Sequence, residues 1–215
     1  MKYCFHFLFL LISFSNVKAQ DSRFTLEVNY GLNGNFFVTS YDEISGPQPH
    51  TYFYNKNFLG TIGGGELAYR ISKKSSIIAG YSRSVNAGKK NFSGLVGNAE
   101  VYINDFKIRH YNNFYYAGYK YLLNKKKIEF SIDIGPVLVY SSSQDIIIEG
   151  ADFIGITESN FKNSNSVEGG LFAGIHLSKS IDKHFELGLK VRGYHLISVA
   201  SFEALTLTPT LSYKF

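Results

Sequence analysis

The sequence LTLTPTLSYKF, residues 205–215, alternates apolar and polar side chains at almost every step. Its apolar members share one face, and the opposite face carries Thr206, Thr208, Thr210, Ser212 and Lys214. Strict period-two alternation predicts a β-strand whose two sides meet chemically different surroundings. Pro209 removes one backbone donor from this strand, so we expect it at a bulge or where the strand is locally unpaired.

The same alternation recurs in seven further segments of the chain. They cover residues 24–33, 59–71, 77–85, 114–121, 128–140, 170–177 and 185–192. Aromatic residues make up 16% of the sequence, all of them Tyr or Phe, beside 20 Gly and 4 Pro. This composition favours strands and tight turns over helices. The sequence therefore predicts an all-β fold of eight strands.

The links between these strands alternate between short and long. Short links follow the second, fourth and sixth strands, at Ser72–Ser75, Asn124–Lys127 and Lys179–Lys183, while long ones cover Asn35–Phe58, Asn86–Asp105 and Ser142–Asn165. A fourth link on the long side, Ser198–Glu203, is short. This arrangement is typical of a closed antiparallel up-and-down transmembrane β-barrel, with short turns on one side of the membrane and longer loops on the other.

The last strand ends on two aromatic residues, Tyr213 and Phe215. In this feature the chain resembles small eight-stranded bacterial outer-membrane β-barrel proteins. Its composition resembles that of the barrel proteins of Bacteroidetes-type bacteria. The resemblance implies that Tyr213 and Phe215 form a C-terminal signal read by the barrel-insertion machinery. It also implies a location in the outer membrane, with outer-membrane lipids and lipopolysaccharide as partners.

The first nineteen residues predict an export signal. Lys2 precedes an apolar run at Phe5–Ile12, and Val17 and Ala19 place small residues at a cleavage site. The run is shorter than the ~20 residues of a membrane-spanning helix. We therefore expect a signal peptide at 1–19 and one barrel domain at 20–215. Cys4 is the single cysteine, so the processed chain would have no disulfide and no cysteine metal site.

Charged residues fall on the inward face of the predicted strands, opposite the more uniform apolar face. By parity this inner set contains Glu27, Glu66, Lys120, Asp133, Lys190 and Arg192. A lipocalin-like barrel in water would show the reverse polarity. Because eight strands enclose an interior that side chains can fill, we expect these charges to pair and plug the lumen. A proton- or ion-conducting gate is the alternative.

The function predicted from these features is that of a non-enzymatic barrel that presents its long loops for envelope structure or surface binding. Candidate binding residues in the first loop are His50, Tyr52, Phe53 and Tyr54, which could equally extend a strand above the membrane. We expect no cofactor and no metal site. Nucleic-acid binding is not expected either, because the lysines of this chain, whose net charge is +5, are dispersed among turns.

Two other functions remain open at this point, a narrow pore and an enzyme. Arg192, Tyr194, His195, Ser198, Ser201 and Glu203 show a faint resemblance to the site of eight-stranded lipid A deacylases. In that family the His and the Ser are two residues apart on one face, whereas His195 and Ser198 are three apart. We therefore predict no catalytic residues.

Overall fold

A computed structural model of the chain describes residues 23–36, 53–55, 59–96, 99–125, 127–148, 154–159, 168–198 and 200–215. The predicted signal peptide at 1–19 lies outside these residues, as do His50 and Tyr52. No described residue belongs to a helix long and apolar enough to cross a membrane.

Eight long strands and two short ones make up the described chain. They are β1 (Phe24–Asn35), β2 (Phe53–Asn55), β3 (Leu59–Arg70), β4 (Ser75–Val96), β5 (Ala99–Lys125), β6 (Glu129–Ile148), β7 (Ile154–Ser159), β8 (Glu168–Ser180), β9 (Phe185–Leu196) and β10 (Ser201–Lys214). The long strands pair antiparallel in the cyclic order β1-β3-β4-β5-β6-β8-β9-β10. β1 closes the ring, because Glu27 lies opposite Glu66 of β3 and also opposite Ser212 of β10. The predicted closed eight-stranded barrel is confirmed.

Pro209 lies where the ladder between β1 and β10 is interrupted. The pairs Asn29–Thr210 and Leu32–Leu207 flank a gap in this ladder, whereas the ladder from β10 to β9 continues through Pro209 and Leu189. The backbone nitrogen of Pro209, which has no hydrogen to donate, thus faces β1, with which this residue makes no ladder bond.

The prediction of a long loop is wrong over most of two segments, Asn86–Asp105 and Ser142–Asn165, because strands continue into them. β4 and β5 continue as a paired hairpin through the segment predicted as the loop Asn86–Asp105, and only residues 97–98 separate them. β6 likewise continues to Ile148 and pairs with β7 inside the predicted loop Ser142–Asn165. Both hairpins extend from the same end of the barrel, which we call the hairpin end. The opposite end, where short links join β3 to β4, β5 to β6 and β8 to β9, is the turn end.

The turn between β8 and β9 is stabilised by one side chain. Asp182 Oδ1 accepts hydrogen bonds from the backbone N–H groups of His184 and Phe185, each at 2.7 Å. Bonds from the amides of Phe185 and His184 hold the pKa of Asp182 below its usual value.

We expect Asp182→Ala to speed amide hydrogen exchange at His184 and Phe185, because both donors lose their acceptor. Since the folded pKa is the lower one, the carboxylate contributes to turn stability above about pH 3.8, the ordinary value. That contribution is lost as the pH falls through the depressed folded pKa. Exchange measured by NMR at several pH values checks this, with Asp182→Asn, which keeps the acceptor oxygen, as the control. Equal exchange rates in the Ala and Asn variants would contradict it.

The two faces of the barrel wall have opposite polarity. On β10 the outward side chains Leu205, Leu207 and Leu211 are exposed by 41–45%, while the inward Thr206, Thr208, Thr210 and Ser212 are buried. The same alternation runs around the ring, with Val28, Leu138 and Leu187 outward. Apolar side chains outside and polar ones inside are the reverse of a protein folded in water.

Candidate functional site in the barrel interior

The described interior is organised in three layers along the barrel axis. β9 passes through them in order, because its inward residues follow one another from the turn end to the hairpin end. Lys190 and Arg192 lie in a charged layer. Tyr194 and Leu196 lie in an aromatic layer, which is the next one toward the hairpin end, and a polar layer follows at the hairpin end itself.

Five of the six predicted lumen charges meet in the charged layer. Lys190 Nζ pairs with Glu27 and lies 3.2 Å from Glu66 Oε2. Arg192 Nη2 bridges Glu66 Oε2 and Asp133 Oδ2, at 2.8 Å each, and Arg192 Nε lies 3.3 Å from Asp133 Oδ1. All five residues are only 2–3% exposed. The result is one continuous chain of ion pairs that joins β1, β3, β6 and β9.

Lys120, the sixth predicted residue, contacts a histidine instead of a carboxylate. Its Nζ lies 2.8 Å from His176 Nδ1, and His176 Nε2 lies 3.1 Å from Thr210 Oγ1. Because a lysine ammonium can only donate, this geometry fits the His176 tautomer that carries its hydrogen on Nε2. His176 was not among the predicted site residues, although its inward parity could have indicated it.

The charges of this layer balance. Glu27, Glu66 and Asp133 supply three carboxylates, and Lys120, Lys190 and Arg192 supply three cations. A buried ion costs several kcal/mol of desolvation unless opposite charges and hydrogen bonds surround it. Within this layer each of the three carboxylates therefore has a cation to offset its charge.

Aromatic rings lie directly above the ion pairs. The Arg192 guanidinium is 4.5 Å from the Tyr116 ring centroid and 4.6 Å from that of Phe172, which are cation–π distances. Tyr194 packs on Phe114, with ring centroids 4.4 Å apart. Aliphatic side chains complete this layer: Ile62, Ile78, Val137, Val139, Leu196 and Ala204. The rings therefore stretch across the barrel interior.

Amides and a carboxylate form the layer at the hairpin end. Asn112 Nδ2 donates to Glu203 Oε1 (2.5 Å), Ser141 Oγ donates to Asn112 Oδ1 (2.6 Å), and Asn33 Nδ2 donates to Asn86 Oδ1 (2.9 Å). Simple alternation places Glu203 on the outward face with Leu205. A bulge between Phe202 and Ala204 turns it inward, where it is 1% exposed.

Cavities of different size interrupt the described interior. One of about 100 Å³ opens at the turn end, and its charged lining residues are Arg70, Lys73, Lys74, Lys120, Glu129, Glu186 and Lys214. The second, of about 10 Å³, lies beside Lys190, Arg192 and Tyr194 and has room for about one water molecule. The charged and aromatic layers lie above the larger cavity.

The predicted C-terminal residues are packed together at the turn end. The Tyr213 ring contacts those of Phe185 and Phe215, each at a centroid distance of 5.1 Å. Phe215 N also donates to Phe24 O (3.1 Å), which ties the end of the chain to β1. Whether the insertion machinery reads Tyr213 and Phe215 stays a prediction.

The structure separates the other predicted candidates. Phe53 and Tyr54 belong to β2, which pairs with Asn91 and Lys90 of β4, so this part of the first loop extends the sheet. His195 is exposed on the outer wall, while Arg192 and Tyr194 point inward. Ser198 Oγ lies 3.5 Å from Gly169 O, in the link between β9 and β10. Among the described residues, no group of three or more His, Cys, Asp or Glu side chains could hold a metal.

This fold, with charges inside and apolar side chains outside, is that of a small eight-stranded outer-membrane β-barrel. Neisserial surface protein A has a similar structure, with a TM-score of 0.54 at 12% identity over 90% of this chain and 98% of that one. Two further crystal structures align less well. Ail from Yersinia pestis, in complex with the heparin analogue sucrose octasulfate, gives 0.48 at 10% identity over 90% and 99% of the chains. OprG from Pseudomonas aeruginosa gives 0.45 at 9% identity over 89% and 95%.

At these identities the likeness concerns the fold alone. The sequence matches no protein-family model and no curated protein.

Proposed function

We propose that this protein is a non-enzymatic integral protein of a bacterial outer membrane, with a plugged lumen and two hairpins displayed at the cell surface. The observation that carries the proposal is the inverted polarity of the wall. Leucines that are 41–45% exposed alternate on β10 with buried threonines, and the inward charges neutralise one another. Lipid outside and a closed polar interior satisfy both faces.

The plug follows from the stacking of two layers in a narrow barrel. Eight strands enclose an interior about as wide as the side chains that fill it. The ion pairs join strands on opposite sides of the ring, and the aromatic layer lies across their hairpin-end side. A pore with a stable open state would need both layers to part. We therefore favour the plug over the pore.

The enzyme alternative has less support from geometry. Nucleophilic catalysis requires a nucleophile and a base within hydrogen-bond reach. His195 lies on the outer wall, and Ser198 Oγ is directed at a backbone carbonyl. We propose that function resides on the β4–β5 and β6–β7 hairpins, since recognition is usually carried by segments displayed on a rigid scaffold.

Surface labelling of intact cells tests the proposed orientation. An epitope inserted at residues 97–98, between β4 and β5, should be labelled by antibody on intact cells of a Gram-negative host. The same epitope inserted in the 71–74 turn should be labelled only after the outer membrane is permeabilised. Labelling of the turn on intact cells, or of neither site, would contradict the proposal.

Leu207→Arg should lower the free energy of unfolding in lipid vesicles by about 2–4 kcal/mol, because it places a charge near the middle of the lipid-facing wall. Ile181→Arg, in a turn where the side chain is 62% exposed, should cost about 0–1 kcal/mol. Urea titration followed by the mobility shift between folded and heat-denatured protein on gels gives both values. Equal costs at the two positions would argue against a lipid-facing β10.

A further inference from the structure

Four cationic side chains form a stripe that follows β4 and β5 on the outer wall of the barrel, near the hairpin end. Arg83, Lys89, Lys107 and Arg109 are all exposed, and they share the outward face with Tyr81 and Tyr115. The register places Lys89 directly opposite Lys107 and places Arg109 opposite Ala87, two residues along. We call these four residues the basic stripe.

Like charges directly opposite each other on a sheet repel and destabilise the pair. One carboxylate offsets this repulsion, because Asp105 Oδ1 lies 3.2 Å from Lys89 Nζ. Arg83 packs over the Tyr111 ring, 4.5 Å from its centroid. Among the described residues, no carboxylate pairs with Arg83, Lys107 or Arg109. Counted over the described side chains, the stripe therefore has an excess of positive charge on a face that elsewhere exposes apolar side chains.

The length of the stripe along the membrane normal indicates what kind of anion could neutralise its charge. Tyr81 and Tyr115, with ring centroids 5.1 Å apart, are outward aromatic residues of the kind that mark a membrane interface. A strand tilted by ~40° rises roughly 2.5 Å per residue along the membrane normal. The six residue steps from Arg83 to Lys89 then span roughly 15 Å. A phospholipid headgroup layer is only about 5–7 Å deep on each side.

We propose that the basic stripe binds a phosphorylated glycolipid of the outer leaflet, one that carries anionic groups at more than one height. The two arginines can form bidentate hydrogen bonds with phosphate, and Arg83 and Arg109 lie closest to the lipid-facing wall. Lys89 and Lys107 extend the site outward along the sugar portion. The inference rests on the proposed outer-membrane location and orientation.

The test compares binding of bisphosphorylated, core-bearing lipopolysaccharide by the native barrel and by Lys89→Gln/Lys107→Gln/Arg109→Gln, measured by native mass spectrometry in a non-ionic detergent. The triple variant should bind at least about tenfold more weakly. Enzymatically dephosphorylated lipopolysaccharide and phosphatidylglycerol should bind the native barrel weakly. The matched control, Lys73→Gln/Lys74→Gln/Lys179→Gln, removes the same charge at the turn end and should bind like the native chain.

Unchanged binding by the stripe variant, an equal loss in the control, or equal binding of the dephosphorylated lipid would overturn the site. Heat-modifiable mobility of each variant, measured after insertion into vesicles, separates this result from a failure of the fold. If the native chain does not insert into vesicles, the outer-membrane proposal fails. Normal insertion with unaltered binding in the stripe variant rejects only the glycolipid site.

Discussion

Arg192→Met is expected to lower the free energy of unfolding by about 3–5 kcal/mol, the cost of removing one partner from a buried ion pair. Arg192 neutralises two carboxylates at once, because Nη2 lies 2.8 Å from both Glu66 Oε2 and Asp133 Oδ2. Without it, Glu66 keeps Lys190 as a partner, whereas no other described cation contacts Asp133. The variant also loses the contacts of the guanidinium with Tyr116 and Phe172.

A second substitution separates the lost charge from the lost packing. Arg192→Met/Asp133→Leu removes one charge of each sign and leaves Glu27 and Glu66 balanced by Lys120 and Lys190. It should recover most of the stability lost in Arg192→Met, since a balanced apolar replacement of a buried pair is often neutral. Urea titration in vesicles, read from the gel mobility of the folded form, measures all three proteins. A double variant as unstable as the single one would show that charge balance is not what the layer requires.

Truncating the aromatic layer is expected to have an effect of similar size. Tyr194 is 2% exposed and packs on Phe114, so Tyr194→Ala should cost about 3–5 kcal/mol through the cavity that it leaves. The double variant Phe172→Ala/Tyr194→Ala removes two of the aromatic rings that lie between the ion pairs and the hairpin end. We expect that variant to show brief conducting events in planar bilayers.

The control for this prediction is Tyr115→Ala. Tyr115 lies on the outward face, is 53% exposed and contacts Tyr81, so its truncation leaves the interior intact. It should cost less stability than Tyr194→Ala and should leave conductance unchanged. If the outward and inward truncations behave alike, the aromatic layer has no special part in closing the lumen.

Alternation alone predicted the wall of the barrel and the inward charges, because membrane strands place lipid on one face and protein on the other. It failed where that contrast ends. Past Tyr81 the hairpin of β4 and β5 leaves the apolar belt, so neither of its faces needs to be uniformly apolar. The segment after Val85 therefore looks like a loop in the sequence. The inward position of Glu203 was not predicted for another reason: the bulge between Phe202 and Ala204 adds a residue and reverses the parity of the strand at that point.

The contacts within the interior were beyond sequence reasoning for geometric reasons. Parity places Lys120 and His176 on the inner face, but their contact depends on the stagger of β5 and β8 across the barrel, which the sequence does not encode locally. The pairing of Lys190 with Glu27 joins residues 163 positions apart. Only closure of the ring brings them together.

Conductance of the native chain tests the plugged, membrane-spanning barrel most directly. Protein that is folded by the criterion of heat-modifiable mobility should insert into planar bilayers and give no stable open level, because paired charges and stacked rings fill the lumen. Large and stable single-channel openings from such protein would contradict the account and favour a pore.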